Sequence, residues 1–142
     1  MTAQSPRGAP PVGYQTVSPY LLYADADRAV AWLESLGFAE RRSATGAAGR
    51  AHHELVLGDD GLVMLGQMGP SFQSLRAQGI DPPVMVHVYV ADVVALHERA
   101  AKAAGVDPSD LEISPTGDQR FTATDPEGIP WVFAQRVRET GR

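Results

Sequence analysis

Cysteine is missing from this 142-residue chain. Its absence removes disulfides, thiolate nucleophiles and cysteine-ligated zinc. A basic cluster is missing too: 12 lysines and arginines stand against 17 aspartates and glutamates, a formal charge of −5. A nucleic-acid backbone needs a basic surface, so that partner class is excluded. The mild negative charge tolerates cationic small molecules, and it also simply keeps a protein in solution. No apolar run approaches bilayer-spanning length, and no glycine-rich phosphate loop follows a strand. The opening MTAQSPRGAPPVGYQ lacks the apolar centre of a secretory leader and reads as a flexible tail over residues 1–15. No nucleic acid, no membrane and a cytoplasmic location are therefore expected.

What is present is an ordinary globular composition, 44% apolar, in a length that suits one domain. It is arranged as a duplication. Aligning Ala24-Asp25 with Ala91-Asp92 sets an offset of 67 (92 − 25), and the same offset carries Asp60 onto Glu127 and Gly61 onto Gly128. In the first half, TVSPYLLY (16–23) reads as a strand. Asp25 or Asp27 caps a helix whose stripe is Ala29, Val30, Leu33 and Leu36, and Gly37 ends it. AHHELVLG and GLVMLGQ then form a hairpin about Asp59-Asp60-Gly61.

In the second half, VMVHVYV (84–90) is the strand. Asp92 caps a helix carrying Val94, Leu96, Ala100 and Ala103, and Gly105 closes it. A short strand near Leu111–Ile113 leads to the hairpin RFTATDPEGIPWVFAQ, turning at Asp125–Gly128. Between the halves, Ser71 is placed to cap a short helix ending at Gly79, and Asp81-Pro82-Pro83 forces an extended linker. The pattern predicts one α+β domain over 16–137: two βαβββ modules (16–68 and 84–137) joined by linker 69–83. Each helix covers one face of its strands. The remaining faces make a curved mixed sheet with a concave groove, the default ligand site.

Alternation assigns the strand faces. Val84, Val86, Val88 and Val90 should pack on helices, leaving Met85, His87 and Tyr89 for the groove. Ser18, Tyr20 and Leu22 match them in the first strand. In the last strand Pro130, Val132 and Ala134 match by parity, with Trp131 and Phe133 in the core. Trp32 either meets a dimer partner or sits half-exposed. His52 and His53 point to opposite faces of a strand and cannot share an ion. His52 and Glu54 share a face and could act as an acid–base pair, though a solvated decoration is the plainer reading. Arg120 faces either an acidic ligand group or, more simply, Asp125 or Glu127. His97 reads as solvent-facing.

Four segments, SPYLLYADADRAVAWLESLGFAER, AHHELVLGDDGLVML, VHVYVADVVALHERAAKAAG and RFTATDPEGIPWVFA, together resemble the vicinal oxygen chelate superfamily, and within it the glyoxalase/bleomycin-resistance-like proteins. The resemblance covers about residues 16–137. Its most specific piece is Asp-Pro-x-Gly-x-x-Trp after a Phe-containing strand. It implies paired βαβββ modules and a homodimer.

Family enzymes hold a divalent metal through His and Glu at three or four positions on the first and last strands of each module. Here the resemblance puts Ser18, Met85, Val132 and one of Met64, Leu65 or Gly66 at those positions. None supplies the imidazole or carboxylate a divalent ion requires. A slip of two residues substitutes Tyr20 and His87, one imidazole and no carboxylate. The resemblance thus implies a binding protein with no metal, no cofactor and no catalytic residue, which sequesters a small organic molecule such as an antibiotic. Its ligand-contact set is Ser18, Tyr20, Met85, His87, Tyr89, Val132, Arg120 and His53. The rival is a metal-dependent lyase, isomerase, transferase or dioxygenase drawing on His53, His87 and Glu54. A third reading is a degenerate member that acts only through protein contacts.

Overall fold

A computed structural model describes residues 8–46 and 51–138. The first module runs β1 (Tyr20–Tyr23), α1 (Ala26–Ser35), β2 (Ala39–Thr45), β3 (Ala51–Leu57) and β4 (Gly61–Gln67). The second runs β5 (Val86–Tyr89), α2 (Val93–Lys102), β6 (Glu112–Ile113), β7 (Asp118–Thr124) and β8 (Pro130–Arg136). Each helix starts where an aspartate can accept orphan backbone N–H groups. Asp25 Oδ1 accepts from Arg28 N at 3.1 Å, and Asp92 Oδ1 from Ala95 N at 3.0 Å. Gly37, at φ +100°, takes the left-handed position that turns the chain off α1.

The strands form two four-stranded ladders, β1-β4-β3-β2 and β5-β8-β7-β6, rather than one continuous sheet. In each, the first pair is parallel and the others are antiparallel. The duplication shows in the register. Tyr20 lies opposite Met64 and His87 opposite Val132. The first strands are therefore offset by 67 (87 − 20) and the last by 68 (132 − 64). A polar device repeats as well. Gln67 Oε1 accepts from Ala26 N at 2.8 Å, and Gln135 Oε1 from Val93 N at 3.0 Å. A glutamine at or next to the end of each last strand anchors its own module's helix.

The helix-facing sides of both sheets close on a single core, with Tyr23, Leu33, Leu55 and Leu65 from the first module meeting Phe121, Trp131 and Phe133 from the second. Trp131 is the hinge of that contact. Its ring lies 6.2 Å from Trp32 and 5.7 Å from Phe38. Polar links reinforce it: Glu127 accepts from Ala24 N and Asp25 N at 2.7 and 2.8 Å, and Arg99 Nε donates to Ser35 O at 2.8 Å.

Several expectations are corrected. Trp32 is buried against Trp131 rather than half-exposed. The tail boundary at residue 15 fails locally, because Gln15 Nε2 donates to Leu62 O at 2.9 Å and Tyr14 also bonds the sheet; residues 1–7 lie outside the described residues. No helix forms over 71–79. Ser74 Oγ, not Ser71, takes an N–H (Ala77, 3.1 Å), and Gly79 at φ +70° stops the chain before a helix can propagate past its costly first turn. On α2 the buried residues are Val93 and Ala100, while Val94 is exposed. Val84 precedes β5 and is exposed, since the proline pair holds it off the ladder. His97 is half-buried: its ring packs on Phe121 at 5.0 Å and Nε2 meets Ser109 O at 2.8 Å. Among the described residues no helix is long and apolar enough to cross a membrane.

Candidate functional site

The faces turned away from the core carry the site candidates. Across the first sheet, Tyr20, Met64, Glu54 and Arg42 form one row, and Leu22, Gly66, His52 and Ala44 the next. Across the second, Tyr89, Ala134, Arg120 and Glu112 form one row, and His87, Val132 and Thr122 the next. Tyr20 is 50% exposed, Tyr89 58% and Met85 61%. Large side chains left open on a sheet face are the kind of patch that marks a binding surface.

A hydrogen-bonded chain crosses the first face. Tyr20 Oη meets His52 Nδ1 at 2.7 Å, and His52 Nε2 meets Glu54 Oε2 at 3.0 Å. The other carboxylate oxygen, Glu54 Oε1, accepts from Tyr14 Oη at 2.6 Å and Arg41 Nη2 at 3.3 Å. The Arg41 guanidinium also sits 4.5 Å over the Tyr14 ring. Strand alternation explains the core of this arrangement, since residues i and i+2 share a face. Glu54 is only 5% exposed, so the pair is not the solvated decoration expected. Burial alone would push its carboxyl up; the bonds from Tyr14, His52 and Arg41, with the nearby imidazole charge, outweigh it and hold the acid below its usual range.

A stability test follows. Because folded Glu54 binds its proton less readily than unfolded Glu54, its contribution is fully present above about pH 4.3, the ordinary glutamate value, and is lost as pH falls through the lower folded value. Glu54→Gln should therefore destabilise by about 1 to 2 kcal/mol at neutral pH. The gap between variant and parent, measured by urea denaturation, should shrink in acid.

Gly66 shapes the same face. A Cβ there would lie 2.9 Å from Tyr20 Cε1 and 3.2 Å from Leu22 Cδ2. The missing side chain lets the Tyr20 ring lie over β4 and reach His52. Gly66→Ala should lift the ring and break the Tyr20–His52 bond at a cost of about 1 kcal/mol, as the tyrosine can swing outward. The displaced ring would be visible in a crystal structure of the variant.

The predicted contact residues divide into three groups. Tyr20 and Leu22, with His52, line a recess of about 220 Å³ on the first sheet; Ser18 precedes β1 and is half-buried. His87 and Tyr89, ring to ring at 5.0 Å, line a different cleft of about 320 Å³ between β5 and the β3–β4 hairpin. Val132 and Arg120 share the sheet face of His87 and Tyr89, and Met85 lies just before β5. Val132 keeps the expected parity but is only 6% exposed, hemmed in by β5 and β7. Arg120 Nε pairs with Glu112 at 2.9 Å, not with Asp125 or Glu127. His53 is the misplaced member. It points to the helix side of β3, where Nδ1 meets Glu40 at 3.0 Å and Nε2 lies 3.5 Å from Asp27. Tyr14 and Arg41 were missed, because nothing in their local sequence points to β3.

Tyr89 is tied as well. Its hydroxyl donates to buried Asp118 Oδ2 at 2.9 Å, and Asp118 Oδ1 pairs with Arg136 Nε at 3.0 Å. The residues that the resemblance assigns to metal-ligand positions, Ser18, Met85, Val132 and one of Met64, Leu65 or Gly66, offer a hydroxyl, thioethers and alkyl groups. Among the described residues no three His, Asp or Glu side chains are grouped to hold an ion. This donor set does not fit a divalent cation.

No family model matches the chain. Solved structures do. TioX from Micromonospora sp. ML1 is 30% identical, with 89% of this chain and 100% of that chain covered and a TM-score of 0.63. A glyoxylase/bleomycin resistance protein/dioxygenase domain from Frankia sp. EAN1pec is 18% identical over 86% and 97%, with a TM-score of 0.70. A bleomycin-binding protein solved in complex with bleomycin is 17% identical over 85% and 98%, with a TM-score of 0.63. With the duplicated βαβββ architecture and its closing Asp125–Trp131 motif, these likenesses make the chain a member of the vicinal oxygen chelate superfamily, of the glyoxalase/bleomycin-resistance-like type.

Proposed function

We propose that this protein binds a small aromatic or heterocyclic molecule, antibiotic-like in character, without a metal and without transforming it. The observation that carries the reading is the set of open side chains Tyr20, Leu22 and Tyr89 on the sheet faces, with Met85 open just before β5. Rings and thioethers supply contact area to a flat ligand, and the hydroxyls and His87 supply direction. The bleomycin complex of a protein with the same fold supports the ligand class. The first-sheet recess and the β5 cleft are separate shallow openings in one chain. A second copy of the chain is the partner that would wall them in, so a homodimer is part of the proposal.

The test is thermal shift on purified protein with a metal assay alongside. Divalent ions should leave the melting temperature unchanged. A cationic aromatic antibiotic that binds should add about 2.7 kcal/mol at a hundred times its Kd. Near-stoichiometric bound metal would favour the enzyme reading instead, and silence from both panels would favour a role through protein contacts.

A further inference from the structure

We infer that the Tyr20 hydroxyl oxygen is a hydrogen-bond acceptor when His52 is neutral, and that the first-sheet recess therefore selects ligands bearing an N–H donor, an aromatic amine above all. The inference rests on the small-molecule reading and names the chemistry of its ligand. Glu54 sets the order of the protons. An ionised carboxylate only accepts, and Tyr14 and Arg41 both donate to it. His52 Nε2, 3.0 Å from the other carboxylate oxygen, must then carry a proton. A neutral imidazole with Nε2–H has a bare lone pair on Nδ1. The Tyr20 hydroxyl, 2.7 Å away, is the group that fills it. Its proton is thereby committed inward, and what it presents to the recess is oxygen lone pairs.

The rest of the lining agrees. The recess carries no lysine or arginine among its described residues. Gln67 has spent its amide protons on Ala24 O at 2.6 Å and Met68 O at 2.9 Å. Its carbonyl oxygen is taken by Ala26 N. A ligand acceptor would meet oxygen against oxygen at Tyr20, whereas an amine N–H would complete the chain from ligand to Tyr20, His52 and Glu54. Each bond in such a chain polarises the next.

Two acridinium dyes test this, the ring-N-methyl cations of proflavine and of acridine orange, neither of which has a ring N–H. The first carries amino N–H groups; in the second the same exocyclic nitrogens are fully methylated. Fluorescence titrations at about pH 8.5 should show the wild-type protein preferring the amino-bearing dye by about tenfold, the worth of one good hydrogen bond. Tyr20→Phe should erase the preference while keeping the ring. Nitrogen-15 NMR should find His52 as the Nε2–H tautomer. If both dyes bind but Tyr20→Phe leaves their ratio unchanged, or if His52 is the Nδ1–H tautomer, the inference is wrong and the binding reading stands. If neither dye binds, both fall.

Discussion

Replacing Asp125 by alanine should destabilise the fold by about 4 kcal/mol, because the side chain serves four donors at once and is only 1% exposed. Its Oδ1 accepts from Glu127 N and Ile129 N, each at 3.0 Å, and so shapes the last turn. Its Oδ2 accepts from the Tyr23 hydroxyl at 2.7 Å and Trp131 Nε1 at 3.2 Å. Both of those residues are fully buried. Burial first, and then the Asp125 charge, raise the Tyr23 hydroxyl well above the ordinary phenol range, so it stays a donor. In the alanine variant the two inner donors have no water to turn to, and each stranded group costs roughly 1 to 3 kcal/mol. The turn amides lie nearer solvent and contribute less. Asp125→Asn keeps one carbonyl oxygen and should cost about half as much. Urea denaturation with an unchanged slope is the readout. A loss below about 1 kcal/mol for alanine would mean the inner donors find other partners.

The second large effect is expected at Trp131. Alanine there removes a fully buried indole from the seam where Trp32 and Phe38 of the first module meet the second sheet. Phe or Trp truncation in a core costs about 3 to 5 kcal/mol, and this site has neighbours from both modules that cannot collapse together. The same denaturation experiment checks it. Asp125→Ala and Trp131→Ala share the Nε1–Oδ2 bond, so the double variant should fall short of the summed losses by about 1 kcal/mol. Strict additivity would show that the bond contributes nothing.

These two residues also show what could be read from sequence and what could not. Local rules found the helices, because an aspartate before an apolar stripe and a glycine after it act within a few residues. Parity found Trp131 and Phe133 in the core and His87 and Tyr89 outside it. Asp125 was legible only as a turn former. Its reach to Tyr23 spans 102 residues, and no local pattern encodes that. The strand β2, AERRSAT, has no alternation because all seven residues are exposed; only pairing with β3 makes it a strand. The His52–Glu54 pair was visible as a shared face. Its burial was not, since the groups that close it, Tyr14 and Arg41, lie in a segment that reads as tail and in a strand without pattern. His53 was misassigned to the groove although alternation already sends it opposite to His52.

The central claim is that the open sheet faces bind an aromatic ligand with protein side chains alone. Calorimetric titration of chelator-washed protein with proflavine tests it most directly. Saturable binding without added metal, weakened when Tyr20 and Tyr89 are both replaced by alanine, is the predicted result. Heat that appears only after a divalent ion is restored would contradict it.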